Sequence, residues 1–422
     1  MLKKIGLIGL GTVGESVLRS LKKHAAIICQ RTSIKLEVKK ICDTNRAKNK
    51  LAKDLSLAFT TNPNDLINDP EIDIIVELIG GIEPAKSIIM ECLKNGKSVV
   101  TANKALLADS GKQIFNLAKK NNKSVGFEAS VCGAIPIIKT ISEGLVSCDV
   151  KKIYGILNGT TNYVLDKMLK ENIDFNTALK EAQDKGLAEK NPFLDIEGMD
   201  AHHKLCILSY LCYGVWPLSK NVYTEGIAKI GLIDILYAEE LNYRIKLLAI
   251  AKKEKDCLEL RVHPTLIPID HPLAQVSLAY NAVYLDTDPA GELLFYGEGA
   301  GGVPTSSSVI SDIVGIVSGN CGFIRGESKI KIKNIKDTVG RYYIRCMAQD
   351  RPGVLAEVSK ILASLNISVA SVTQKEKKDS KFVPIIMITH KAVEDNIRKA
   401  ISRIDKLNMV QIPSQVIRIE DL

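Results

Sequence analysis

Aromatic residues are scarce in this chain, at 5% with a single tryptophan, and none are interleaved with a run of lysine or arginine. Nucleic-acid grooves set stacking rings along a basic stripe, so this class is set aside. No uninterrupted apolar run reaches the ~18 residues that a membrane-spanning helix needs. Met1-Leu2-Lys3-Lys4-Ile5 leads directly into a strand-like segment, without a signal-peptide pattern. The ten cysteines contain no C-x-x-C spacing. They read as reduced core residues of a cytosolic protein, with neither a disulfide framework nor a thiolate metal site. The formal charge of +9 is spread along the chain, as expected of a lysine-rich surface rather than a docking stripe. What is present is the composition of an ordinary soluble protein, 46% hydrophobic and 25% charged, over 422 residues. That length suffices for two or three domains.

The amino-terminal part alternates strand and helix. A short apolar strand over residues 4–10 runs into Gly9-Leu10-Gly11-Thr12-Val13-Gly14, and an amphipathic helix is predicted over 15–23. This is G-x-G-x-x-G in the setting that gives it meaning, with a strand before it and a helix after it. Gly9 allows the tight turn, Gly11 the approach of a pyrophosphate and Gly14 close helix packing, with Thr12 and Val13 at a helix N-terminus that faces the phosphates. A second strand over 36–42 delivers Asp43, an acid placed for a ribose 2′-hydroxyl, and Arg46, a base placed for a 2′-phosphate. The cofactor is therefore open between NAD and NADP. Further strands are predicted at 72–78, 98–101 and 124–128, with helices at 47–55 and 84–95. The 98–101 strand carries Lys104 to the sheet edge where ligands sit.

The alternation stops over 137–319, where strands near 152–158, 258–262 and 282–286 suggest a mixed sheet. Residues 297–305 form a second glycine-rich loop before an apolar helix at 308–317. Residues 319–337 read as a lysine-rich linker. Beyond it, strand, helix, strand, strand, helix and strand over 342–419 spell a ferredoxin-like unit.

The polar stretch 186–205 holds the densest chemistry. Asn191-Pro192 and Gly198 mark a loop, and Leu205, Leu208 and Leu211 then recur at helical spacing. Asp200 and Lys204 share one helix face, with Cβ atoms ~5–6 Å apart. A carboxylate and an ammonium so placed can grip a small zwitterion and move a proton. The same pair as a solvated surface ion pair contributes only roughly 0.3–0.5 kcal/mol and means nothing, so the rest of the chain must decide.

Several segments together resemble homoserine dehydrogenase with a carboxyl-terminal ACT domain. They are the glycine motif above, Thr101-Ala102-Asn103-Lys104, residues 128–136, Asn158-Gly159-Thr160-Thr161-Asn162-Tyr163, residues 191–204, His263-Pro264 and residues 299–305. Asp350-Arg351-Pro352-Gly353-Val354-Leu355 carries the ACT signature. The fold class implied is α/β: a Rossmann-type dinucleotide-binding domain over 1–130, completed by a helix at about 303–319, and a mixed-sheet catalytic and dimerisation domain over 131–302. A linker over 320–340 and a βαββαβ ACT domain over 341–422 follow.

That resemblance implies hydride transfer between NAD(P) and L-homoserine or L-aspartate 4-semialdehyde, feeding threonine, methionine and isoleucine synthesis. It implies Lys204 as proton donor and Lys104 as a second lysine near cofactor and substrate. Gly186, Glu189 and Asp200 bind the substrate, Gly302 contacts the cofactor, and Glu128, Val131, Gly133 and Ile135 form a sodium site. His202 and His203 have no family role and read as packing residues. The ACT domain implies an amino-acid effector, L-threonine, contacted by residues 350–355 and Asn366, in a homodimer or homotetramer with no nucleic-acid or membrane partner. Two other readings are a different NAD(P)-dependent amino-acid oxidoreductase, marked by ammonia-dependent turnover, and a non-catalytic dinucleotide and amino-acid sensor.

Overall fold

The computed structural model describes residues 1–320, 326–375 and 381–422. Part of the expected linker, 321–325, lies outside them. The chain forms two compact units, one of Met1–Leu157, Asp200–Lys220 and Tyr280–Lys329, the other of Asn158–Met199, Asn221–Ala279 and Ile330–Leu422.

In the first unit a six-stranded parallel sheet runs, edge to edge, Ala58–Thr60, Lys35–Cys42, Leu2–Ile8, Ile74–Glu77, Ser98–Thr101 and Val125–Gly126. Its central strands are apolar runs because both faces are covered: all four residues of Ile74–Glu77 are buried. The order reverses beside Leu2–Ile8, and a crevice for a dinucleotide opens at such a switch point. The helix after the glycine motif is longer than the pattern predicted, Thr12–Thr32. The short Ala58–Thr60 strand went unread, and so did the helix that Lys104 opens, Lys104–Lys120. The Gly302–Val317 helix returns to this sheet, where Val309 and Ile313 join Ile5, Leu7 and Val17 in one core. A three-stranded antiparallel ribbon, Gly291–Glu298, Tyr280–Asp288 and Asp149–Ile156, completes the unit.

In the second unit Tyr243–Glu254 and Cys257–Pro268 pair along their whole length as a hairpin. The ferredoxin-like elements follow as expected: Val339–Gln349, helix Val354–Ser364, Val369–Gln374, Phe382–Thr389, helix Glu394–Ile404 and Val410–Ile419. Val410–Ile419 is the edge strand of that sheet. It pairs antiparallel with Val339–Gln349 and, at its end, parallel with Cys257–Pro268 through Thr265 and Leu266. An unpaired edge is thereby covered, and the carboxyl-terminal domain continues the catalytic sheet. Within the stretch read as linker, Lys331–Ile332 also pairs with Cys257 and Leu258.

Candidate active site

The glycine motif is shaped by contact and space. Gly9 sits at φ 99°, and a Cβ there would lie 2.8 Å from the Leu78 backbone. A Cβ on Gly14 would lie 2.0 Å from the Gly9 carbonyl oxygen, so the helix closes on the turn only because both are glycine. At Gly11 a Cβ would meet nothing within 4 Å, which leaves the backbone open toward a phosphate. Gly302 also owes its identity to packing: a Cβ would lie 2.3 Å from Ser16 Oγ and 2.9 Å from the Thr12 carbonyl oxygen. Asp43 accepts hydrogen bonds from the Leu10 amide at 2.6 Å and the Asn45 amide at 2.8 Å, so both carboxylate oxygens hold backbone. Arg46 is exposed at the start of the next turn.

At the carboxyl ends of the sheet strands, buried Glu77 accepts the Thr101 hydroxyl at 2.6 Å and the Ile79 amide at 2.8 Å. Burial raises its pKa, against the pull of those donors. The Asn103 side chain caps the Lys104–Lys120 helix through the Leu106 amide and donates to the Gly81 carbonyl. This fixes the start of the helix and so the stem of Lys104. Asn103 stands in the Thr101-Ala102-Asn103-Lys104 motif, and its signal in the sequence is that of an Asn before a helix, a recognisable cap.

Lys104 and Lys204 converge on one carboxylate. The Met199–Tyr213 helix is apolar nearly all round and buried, so its first turn carries Asp200 and Lys204 into the interior. Lys204 Nζ donates to Asp200 Oδ2 at 2.7 Å and to the Leu157 carbonyl at 2.5 Å. Lys104 Nζ lies 2.5 Å from Asp200 Oδ1. Asp200 and Lys204 are 5% and 7% exposed, whereas Lys104 is 43% exposed, so this is no solvated surface pair. Burial would raise the Asp200 pKa, but the two lysine charges outweigh it and hold the carboxyl well below its usual range. The Leu157 carbonyl also accepts from Asn281 Nδ2 at 3.0 Å. Asn281 had no signal in the sequence, because its partner lies 124 positions away.

His202 packs as expected, its Nε2 3.2 Å from the Ser219 hydroxyl, with burial pushing its pKa down to about 4. Burial lowers the pKa of His203 too. Glu128 is buried, and its two carboxylate oxygens accept the Ile138 and Lys139 amides at 2.8 Å each. The Asp312 carboxylate accepts the Glu128 amide at 2.7 Å, and burial together with Glu128 pushes Asp312 up to about 8. Cys132 and Gly133 turn the following loop at φ 55° and 48°. The Gly133 carbonyl accepts the Ser308 hydroxyl, and that of Ile135 accepts the Ile137 amide. Val131 is fully buried in the same loop. Among the described residues no cluster of three or more His, Cys, Asp or Glu side chains could hold a metal ion. Gly186 and Glu189 belong to the second unit. Gly186 leaves the Phe175–Asp184 helix at φ 70°, and Glu189 is exposed with its carbonyl held by Gln183.

A parallel sheet ordered about a switch point, an open glycine turn and a buried Lys–Asp–Lys cluster define a nicotinamide-dependent oxidoreductase of the Rossmann class. Comparison with known proteins narrows this class. Residues 136–314 match the family model for homoserine dehydrogenase, 9–128 that for the homoserine dehydrogenase NAD-binding domain, and 342–408 that for the ACT domain. Homoserine dehydrogenases of Neisseria gonorrhoeae and Helicobacter pylori are 40% and 41% identical, each over 99% of this chain and 98% and 99% of theirs. The crystal structure of a homoserine dehydrogenase from Thiobacillus denitrificans covers 100% of this chain and 99% of its own at TM-score 0.94 and 42% identity. A hyperthermophilic archaeal homoserine dehydrogenase in complex with NADPH covers 77% of this chain and all of its own at TM-score 0.66 and 27% identity. The chain belongs to the homoserine dehydrogenase family. It is an oxidoreductase that interconverts L-aspartate 4-semialdehyde and L-homoserine with NAD or NADP.

Proposed function

We propose that Lys204 is the proton donor of this reaction, and one observation carries the assignment: its ammonium is buried between Asp200 and the Leu157 carbonyl. Reduced nicotinamide, when bound, would supply a hydride to the aldehyde carbon. The oxygen gains negative charge as this happens, and a positioned ammonium both stabilises it and hands over a proton. Asp200 orients Lys204 by accepting a hydrogen bond from its Nζ at 2.7 Å. Lys104, half-exposed at its helix start, adds a second positive charge on the side open to solvent. Asp200 binds the substrate as well, and in the second unit Gly186 and Glu189 are assigned to substrate binding by their match to the family.

NADP is the preferred cofactor in this account. Asp43 is engaged with two backbone amides, which leaves exposed Arg46 as the group suited to a 2′-phosphate. Gly9, Gly11, Thr12, Val13 and Gly14 would hold the pyrophosphate, with Gly302 against the same helix start. A sodium ion would be held through the backbone oxygens of Glu128, Val131, Gly133 and Ile135. The Glu128 carboxylate is already spent on amides, which leaves backbone carbonyls as the ligands. The ACT domain takes L-threonine as a feedback effector in a cytosolic homo-oligomer, supported by the ACT match and by the loop before Val354–Ser364. Absorbance at 340 nm with L-homoserine and either NADP⁺ or NAD⁺ tests the cofactor reading. Wild type should favour NADP⁺, and Arg46→Ala should raise KM for NADP⁺ about tenfold with little change for NAD⁺. An unchanged preference in the variant would remove Arg46 from the site.

A further inference from the structure

The segment proposed to bind substrate is tied to the far end of the chain. Residues 186–198, which carry Gly186 and Glu189, are fastened at both ends. At the start, Thr160 donates its hydroxyl to the Leu187 carbonyl at 2.7 Å, and Gln183 donates to the Glu189 carbonyl at 3.0 Å. At the finish, the segment lies backbone against backbone on Thr224–Ile227. The Ile227 amide donates to the Ile196 carbonyl at 2.8 Å, and a Cβ on Gly226 would lie 2.0 Å from that same oxygen. Gly198, at φ 79°, packs against Thr224 and Val262.

Glu225 sits in the middle of that platform. Its amide is fixed to the Val262 carbonyl at 2.8 Å, and its carboxylate accepts the Tyr223 hydroxyl at 2.8 Å and Arg418 Nη1 at 2.9 Å. Arg418 comes from the end of Val410–Ile419. It is 8% exposed, lies 4.7 Å from the centre of the Tyr223 ring, and grips Glu394 of the ACT helix through Nε at 3.0 Å and Nη2 at 2.5 Å. The strand end is pinned in turn, because Glu420 accepts from Arg261 at 2.7 Å and from Lys252 at 2.6 Å.

We propose that Arg418 is a positioning residue for the substrate-binding segment 186–198, acting through Glu225 and the Thr224–Ile227 platform. A planar guanidinium can grip one carboxylate through two N–H groups, donate a third to another carboxylate and lie against a ring face, a geometry that an ammonium cannot reproduce. Lysine at 418 would keep the charge and release one of the partners. The arrangement gives the ACT domain a direct route to substrate affinity. It rests on the reading that Gly186 and Glu189 bind substrate, so its test carries a control for that reading.

The experiment is steady-state kinetics of the full chain with L-homoserine and NADP⁺ for Glu189→Ala, Arg418→Lys, Glu225→Gln and the Arg418→Lys/Glu225→Gln pair. Glu189→Ala should raise KM for homoserine at least tenfold. Arg418→Lys and Glu225→Gln should each raise KM for homoserine three- to tenfold, with KM for NADP⁺ and kcat within twofold, and the pair should match the worse single variant. A Tm loss with unchanged KM for homoserine would mean that the cluster only holds the fold, and it would overturn the proposal. If Arg418→Lys fails to fold, Glu225→Gln decides alone, since an amide keeps the shape and one acceptor. If Glu189→Ala leaves KM unchanged, the substrate reading falls and the proposal with it.

Discussion

Asp200 is one carboxylate shared by two ammonium groups, and its loss has a calculable direction. With Asn at 200, the carboxylate that holds both Nζ atoms is gone, and the two ammonium groups are left without their counter-charge. Steady-state kinetics of Asp200→Asn should show kcat down roughly 10- to 100-fold. A kcat close to that of wild type would show that the carboxylate does not hold the donor in place. The Lys–Asp spacing was legible in the sequence. Its burial was not: the same i, i+4 pair on an exposed helix looks identical as a string, and only the apolar surround of Met199–Tyr213 separates the two. The third member, Lys104, sits 96 positions away from Asp200 in the chain, beyond any local pattern.

At the scale of elements, the phosphate turn depends on two backbones touching. Gly14→Ala would set a methyl 2.0 Å from the Gly9 carbonyl, a contact that only backbone movement can relieve. A fluorescence titration should show NADPH bound at least tenfold more weakly, with a stability loss of about 1–3 kcal/mol. Gly302→Ala should act in the same direction and more mildly, because Ser16 Oγ can rotate away while the Thr12 carbonyl cannot. Unchanged NADPH affinity in Gly14→Ala would contradict the packing account. The strand and helix order of both α/β parts was readable because apolar periodicity and glycine turns agreed there. The Tyr243–Glu254 strand was missed because its buried run fits a helix or a strand equally by composition. The Gly159–Glu171 helix was missed because it opens on Gly159-Thr160-Thr161-Asn162, poor helix formers that Asn158 rescues as a cap.

In the molecule as a whole, the ACT domain is built into its unit and does not hang from it. Fully buried Asp234 receives Arg345 through Nε at 2.6 Å and Nη2 at 3.0 Å, and the Tyr343 hydroxyl at 3.0 Å. Removing residues 339–422 would strip Asp234 of its guanidinium and hydroxyl partners, leaving it the Gly231 amide, and would bare the edge of Cys257–Pro268. The truncated chain should be insoluble or lose more than ten degrees in Tm; a soluble, fully active truncation would refute this. Acid should loosen the same junction. Burial would raise the Glu394 pKa, but Arg418 and Arg398 outweigh it and lower the value below its ordinary one. Its contribution to stability is therefore present above the unfolded carboxylate pKa and lost as pH falls through the lower folded value. The sequence showed a linker and a separate fold because pairing between Val410–Ile419 and Cys257–Pro268 joins segments some 150 residues apart.

Protonation of the substrate oxygen by Lys204 is tested by NADPH oxidation at 340 nm with L-aspartate 4-semialdehyde for wild type and Lys204→Ala, beside an NADPH binding titration of each. In the variant kcat should fall at least 10²-fold, with the NADPH dissociation constant within twofold. A variant that retains kcat within tenfold while binding NADPH normally would show that the proton comes from elsewhere.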